Sequence, residues 1–337
     1  MANAKYSYCI RTMTNKSVNE DQAVVVQKGA DVVLCVCDGH GGPLASLYVV
    51  QNLPQRLLTY RGNVVQMIRR LDVDLLHHLP PHELAQGTTL SCMLYRPSSG
   101  IKVWNLGDSA IYIYVRYPLA SAVKTYRWPK TRSRRYSKSS PSILYCLSTL
   151  TWPSSHTRAP LSLSVNMGSA LGDWTMKNRH VYETYCKGLR QPCKPWEEEA
   201  RRAWCRDGRL GIQICDPWPS TKAFRDFGGD DDSDEDRQGF LSNTAQVISI
   251  PARDIDEMKK EGAQILVMGM SDGITDNLVC SRETDEAVDV FLAEWINDFY
   301  GLALTPSILP GLTHELVRFA KGRNFKPDDM TLVTLLL

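Results

Sequence analysis

The sequence lacks what a membrane protein or a small secreted scaffold would need. No run approaches the ~18 uncharged apolar residues of a membrane span, and the N-terminal stretch MANAKYSYCIRTMTNKS has no apolar core of the signal-peptide kind. Excess charge is also missing. Lys plus Arg is 39 and Asp plus Glu is 37, a net +2, so nothing global points to nucleic acid or an anionic membrane, and any such surface has to be local. No zinc spacing is present. Cys186, Cys193, Cys205 and Cys215, with His180 nearby, make no C-x2-C or H-x3-H pattern and read as scattered thiols. Ten cysteines in 337 residues are not the disulfide framework of a short secreted chain. Cys35 and Cys37 lie inside an apolar run, where a free thiol behaves as a small hydrophobe. The expectation is an intracellular protein, cytosolic or nuclear. No internal repeat of fixed period is visible.

What is present is ordinary in bulk and unusual in detail. The chain is 43% hydrophobic and 23% charged, values that suit a globular protein. "QAVVVQ", a Lys28-Gly29 turn and "DVVLCVC" read as two strands. Leu44, Leu47, Tyr48 and Gln51 then share a helical face, as do Val64, Met67, Ile68 and Leu71. "GTTLSCMLY" and "GIKVWNLGDSAIYIYV" are strands around the turn "RPSSG". Residues 124–138, "KTYRWPKTRSRRYSK", hold seven basic residues and no acid, and residues 228–236, "GGDDDSDED", are almost pure acid after two glycines. Such runs repel themselves and bury little, so both are expected in solvated loops. Regular patterning returns with the strands "AQVISI" and "AQILVMGM", the helices "DEAVDVFLAEWINDFY" and "LTHELVRFAKG", and a last strand, "DMTLVTLLL". Strand-rich ends with paired helices point to α+β layers rather than alternating βαβ units.

Two apolar runs, "VVLCVCDGHGG" and "ILVMGMSDGITDN", drive straight into Asp-Gly. A carboxylate at the end of a buried strand is held rigidly at the rim of a sheet, and a glycine after it lets the backbone turn or approach a ligand. Several such acids would repel one another unless a cation sat among them, and oxygen-only ligands suit magnesium or manganese better than zinc. The candidates are Asp38, Asp108, Asp272, Asp276, and Asp328 with Asp329, joined by Glu20 and Asp21 ahead of the first strand.

The ordered set "NED", "VCDGHGG", "GTTL", "NLGDSAIYIY", "SALGDW", "MSDGITDN" and "DDMTLV" resembles the metal-dependent Ser/Thr protein phosphatases of type 2C, the PPM family. The resemblance runs from about residue 16 to the C-terminus and is weakest at about 116–163 and 180–245, which read as divergent insertions in a single catalytic domain over 5–337. It implies an α+β fold of two packed antiparallel β-sheets flanked by helix pairs. It also implies hydrolysis of phosphoserine and phosphothreonine by a water activated between two Mg2+ or Mn2+ ions, with a third ion in reach. Asp38 would bridge the ions with the Gly39 carbonyl on one of them, and Asp272 and Asp328 would complete the first ion's ligands. Glu20 and Asp21 would hold metal-bound waters, Asp108 and Asp276 would serve a third ion, and His40 would protonate the leaving oxygen.

The chain departs from that pattern in two places. Lys16 stands where the family has a phosphate-gripping arginine, with Arg11 as the fallback, and a lysine offers charge without the bidentate fork. In "SALGDW" the arginine position holds Ser169, and the flap before it is rewritten. Thr88 and Thr89 read as strand residues. The implied partners are phosphorylated proteins, with the basic run 124–138 a candidate dock for an acidic one and nucleic acid not expected. Because Asp38, Asp272 and Asp328 are all retained, the reading is an active enzyme. The alternative is a pseudophosphatase that serves as an interaction module.

Overall fold

The computed structural model describes residues 6–119, 123–129, 131–135, 142–147, 170–177, 179–190, 245–279, 285–299, 303–323 and 325–337. The chain opens with strands β1 (Ser7–Met13), β2 (Gln22–Lys28), β3 (Asp31–Cys37) and the short β4 (Gly39–His40). Helices α1 (Leu44–Thr59) and α2 (Val64–His78) follow, then β5 (Gly87–Thr88), β6 (Leu90–Arg96), β7 (Gly100–Leu106) and β8 (Ala110–Arg116). Further on come β9 (Arg132–Arg135), β10 (Ser142–Cys146), β11 (Leu171–Gly172), α3 (Trp174–Lys177) and α4 (Arg179–Gly188). The C-terminal part contributes β12 (Gln246–Ile250), α5 (Ala252–Lys260), β13 (Gln264–Met270), α6 (Asp272–Leu278), α7 (Asp285–Phe299), α8 (Leu309–Arg323) and β14 (Met330–Leu336).

These strands build two large antiparallel sheets, in the orders β1-β14-β13-β8-β10-β9 and β12-β7-β6-β3-β2, and a small third one, β11-β5-β4. Alternation along each strand explains the layering. On β3, Val32, Leu34 and Val36 face the other sheet, while Val33, Cys35 and Cys37 face α1 and α2. On β8, Ile111, Ile113 and Val115 point inward and Ala110, Tyr112 and Tyr114 pack toward α6, α7 and α8. Both faces of each sheet are covered, which is why the strands read as unbroken apolar runs. The expected sandwich of two sheets flanked by helices is therefore the architecture observed. The sheets pack closely at Gly269, where a Cβ would fall 2.8 Å from Leu34 Cδ2 and 2.9 Å from Val36 Cγ2.

Several local expectations are corrected. The buried stripe of α1 is Ala45, Val49, Leu53 and Leu57, whereas Leu47 is 37% exposed. The i, i+4 row, not the Leu44–Leu47–Gln51 face, meets β3. The basic run is not all loop. Trp128 is buried and donates from Nε1 to Asp254 (2.8 Å), and Arg132–Arg135 form an edge strand on β10. A sheet edge tolerates charge because one side of the strand stays in solvent. Asp272 and Gly273 are not a turn but the first residues of α6. Cys35, Cys37, Cys92, Cys146 and Cys186 are buried and form no disulfide among the described residues. Cys193, Cys205, Cys215, Ser169, the acidic run 228–236 and most of the two expected insertions lie outside the described residues.

Candidate metal and phosphoester site

Strand register gathers the acids at one end of the sandwich. Gln22 pairs with Cys37, so Asp21 and Asp38 sit at adjoining strand ends. Met270 pairs with both Ala110 and Leu332, which sets Asp272 beside the β7–β8 turn carrying Asp108 and near the entry to β14 carrying Asp328. Met13 pairs with Met330 and brings the Lys16 loop to the same edge. The structure thus collects Lys16, Glu20, Asp21, Asp38, Gly39, His40, Asp108, Asp272, Asp276 and Asp328 in one region.

Short-range bonds hold the acids' backbones. Asp38 N–H donates to Thr89 Oγ1 (3.0 Å), Thr88 Oγ1 and Thr89 N–H donate to the Asp38 carbonyl, and Thr89 Oγ1 meets Ser109 Oγ at 2.7 Å. Thr88 and Thr89 are therefore scaffold, as their strand pattern implies. Buried Asp329 fastens the Lys16 loop: its carboxylate accepts from Thr14 Oγ1, Asn15 N–H and Glu20 N–H at 2.8–3.0 Å. Gly39 is required by proximity rather than by a turn. A Cβ there would collide with the Glu20 carbonyl and lie 2.9 Å from Ser46 Oγ.

The carboxyls fall into two groups. In the inner group, both oxygens of Asp21, Oδ1 of Asp108 and Oδ1 of Asp272 are buried without a hydrogen-bond partner. Burial, reinforced by the Asp272 charge, pushes Asp21 and Asp108 up to about 7. Burial, with Asp272 and Asp21 adding repulsion, pushes Asp38 up strongly as well. In the outer group, lysines take the oxygens. Lys326 Nζ pairs with Asp272 Oδ2, lies 3.2 Å from Asp276 Oδ2 and 3.4 Å from Asp328 Oδ2. Lys16 Nζ sits 2.6 Å from Glu20 Oε2 and 2.8 Å from Asp328 Oδ1. Burial works against ionisation of Asp328, but the two lysines outweigh it and hold the carboxyl below the usual range. The inner oxygens fit a hard divalent cation, being oxygen donors that are buried, unpaired and mutually repelling. Among the described residues no three metal-binding side chains close around a point as they stand.

His40 stands beside this cluster. The small sheet β11-β5-β4 pairs His40 with Gly87 and Gly87 with Gly172, so the residue after β11, Asp173, meets the imidazole. His40 Nε2–H donates to Asp173 at 2.7–2.8 Å, and Nδ1 has no hydrogen-bond partner. Burial alone would lower the imidazole's pKa; the Asp173 carboxylate more than offsets it, so the pKa lies above its ordinary value. A Cβ at Gly87 would run into the Asp173 carboxylate, so glycine is what lets the pair form.

Three residues at the site, Asp173, Lys326 and Asn277, are not candidates from the sequence alone. Asp173 was visible only as the acid of "SALGDW". Asp329, a candidate acid beside Asp328, instead fastens the Lys16 loop. Asn277 is visible only as the last residue of "MSDGITDN", and Lys326 lies outside the motifs: Asn277 Oδ1 accepts from Lys326 N–H (2.9 Å) while its Nδ2 donates to the Lys326 carbonyl (2.8 Å), a clamp visible only in three dimensions.

The inner acids make a pH prediction. A carboxyl whose folded pKa is raised binds protons more tightly folded than unfolded, so stability falls as pH rises through the folded value, here about 7 for Asp21 and Asp108. The raised His40 pKa works in the same direction. In EDTA, the melting temperature should fall steadily from pH 5 to pH 8, and added Mn2+ should remove most of the fall. A melting temperature in EDTA that is level or rises over this range would show that burial and mutual repulsion do not hold these carboxyls protonated.

No family model matches the chain, and no curated protein sequence does. Solved structures do. A Caenorhabditis elegans sex-determining protein superposes with TM-score 0.56 and 14% identity, over 99% of this chain and 65% of that one, so the chain spans about two thirds of its length. A phosphatase from a pathogenic strain of Toxoplasma gondii gives TM-score 0.55 and 12% identity, over 98% and 92%. The catalytic domain of the serine/threonine phosphatase PstP, solved with two manganese ions, gives 0.46 and 13% over 98% of each chain. Identities this low establish fold and nothing finer. The chain shares its fold with the C. elegans protein and the Toxoplasma phosphatase, and that fold is the sandwich the type 2C resemblance implies.

Proposed function

We propose that this chain hydrolyses phosphoserine and phosphothreonine in proteins, with Mg2+ or Mn2+ as cofactor. The observation that carries the reading is the set of buried, unpartnered carboxyl oxygens on Asp21, Asp108 and Asp272, gathered beside Asp38 and the His40–Asp173 pair. Asp38, Asp272, Asp328 and the Gly39 carbonyl would hold two ions, with Glu20, Asp21, Asp108 and Asp276 around them or around a third. When bound, such ions acidify water and neutralise phosphoryl oxygens. The chain's own residues do the rest. Asp173 accepts from His40 Nε2 and favours the protonated imidazole, whose Nδ1 proton would go to the departing seryl or threonyl oxygen. Lys16 is the proposed phosphate anchor and must release Glu20 or Asp328 to act.

Phosphorylated proteins are the proposed substrates. Within the basic segment Lys124 is paired internally with Glu257 and Glu261, so docking of an acidic partner would fall to other residues, such as exposed Arg127. Among the described residues no helix is long and apolar enough to cross a membrane, and an intracellular site of action is part of the same proposal. The second reading, a non-catalytic interaction module, draws on one observation: Lys326 lies across Asp272, Asp276 and Asp328. Phosphate release from a phosphothreonine peptide and from p-nitrophenyl phosphate separates the two. Release that requires Mn2+ or Mg2+ and stops in EDTA is expected. Release that persists in excess EDTA would overturn the metal reading, and none under any metal would favour the module.

A further inference from the structure

The acid cluster already contains a cation, and it is part of the chain. Lys326 Nζ is within salt-bridge distance of Asp272, Asp276 and Asp328 at once. Its side chain is only 27% exposed, and burial, which would lower its pKa, is outweighed by those carboxylates. Its position is built rather than accidental. Asn277, fully buried on α6, grips the Lys326 backbone on both its N–H and its carbonyl, and also donates to the Gly273 carbonyl (2.8 Å). Helix α6 therefore carries Asp272, Asp276 and the clamp that aims the ammonium at them.

We propose that Lys326 is a tethered competitor for the outer divalent ion, so that metal occupancy of this site requires the ammonium to leave. The inference rests on the metal reading above. Asp328 has both carboxyl oxygens committed, Oδ1 to Lys16 and Oδ2 to Lys326, and Asp272 gives Oδ2 to Lys326 while Oδ1 stays free. An ion drawing on Asp38, Asp21, Asp108 and Asp272 Oδ1 uses no oxygen that a lysine occupies. An ion that needs Asp272 Oδ2 and Asp328 meets Lys326 in its place. The consequence is unequal affinity: one ion held firmly, the second admitted only at higher metal concentration. This makes Lys326 the residue that sets metal stoichiometry, a role distinct from contact with substrate.

The test is Mn2+ binding to the full chain, read from free-Mn2+ electron paramagnetic resonance and titration calorimetry, with melting temperature in EDTA alongside. Lys326→Met should add a Mn2+ site or tighten the weaker one about tenfold or more, since a monovalent competitor has been removed from a site of fixed ligand charge. It should also lower the melting temperature in EDTA, because Asp272 and Asp276 lose their counterion and Asp328 keeps only Lys16. Lys326→Arg, which keeps the charge, should leave stoichiometry near that of wild type. If Lys326→Met does not fold without metal, Lys326→Gln keeps a donor for Asp272 and serves the same comparison. Wild type and Lys326→Met binding Mn2+ identically would overturn this proposal and leave the metal reading standing. Neither protein binding Mn2+ would overturn both.

Discussion

Asp38→Asn should abolish phosphate release while leaving the metal-free fold intact or more stable. The side chain is buried at the end of β3, with burial first and then the Asp272 and Asp21 charges pushing its pKa up. A neutral amide of the same shape removes that repulsion. The backbone contacts to Thr88 and Thr89 do not use the carboxylate, and the Asp272 N–H that reaches Asp38 Oδ2 at 3.4 Å can be accepted by an amide oxygen. Activity is different, because the amide cannot hold an ion by charge. A fall of at least about a thousandfold is expected, the scale on which loss of one preorganised charge-stabilising group acts. Steady-state rates at saturating Mn2+ and melting curves in EDTA check the two halves separately. Activity within tenfold of wild type would make Asp38 a structural acid. A collapsed melting temperature would mean that the carboxylate supports the fold.

The two halves of this expectation rest on different kinds of legibility. The acids at strand ends were readable because strand and motif coincide: "VVLCVCDG" contains both the alternation that buries β3 and the residue that emerges at its end. The sheet order was not readable from periodicity, since an apolar run covered on both faces gives no clue to its neighbours. Local composition misled where tertiary context overrode it. Arg132–Arg135 is charged enough to read as loop, yet it pairs with β10, whose Ser142–Cys146 is buried throughout. Helix α6 was missed because a seven-residue helix beginning at Asp-Gly looks like a turn. Gly273 is glycine there because a Cβ would meet the Asp329 carbonyl. Lys326 was illegible for a stronger reason. A lysine between a phenylalanine loop and "PDD" is unremarkable until Asn277, 49 residues away, fixes its backbone over the acids.

His40→Ala should separate substrates by their leaving groups. A seryl or threonyl oxygen leaves as a strong base and needs a proton, whereas p-nitrophenolate leaves without one. General acid catalysis typically contributes about 10²–10⁴-fold, so kcat on a phosphopeptide should fall by about that range while kcat on the aryl phosphate changes little. Asp173→Asn tests the donor's poise rather than its presence. Asp173 adopts a left-handed backbone, φ 50°, which asparagine tolerates, and its N–H to the Gln86 carbonyl (2.8 Å) is unaffected. What disappears is the carboxylate that raises the His40 pKa against the lowering effect of burial. The protonated fraction at neutral pH then drops, and the alkaline limb of the phosphopeptide pH–rate profile should move to lower pH, with rates approaching wild type as the buffer is acidified. The aryl phosphate profile should keep its limb, since no proton is owed to that leaving group. Equal losses on both substrates in His40→Ala would assign His40 to positioning metal or phosphate. An unmoved limb in Asp173→Asn would show that the ion pair at 2.7 Å does not set the donor's protonation.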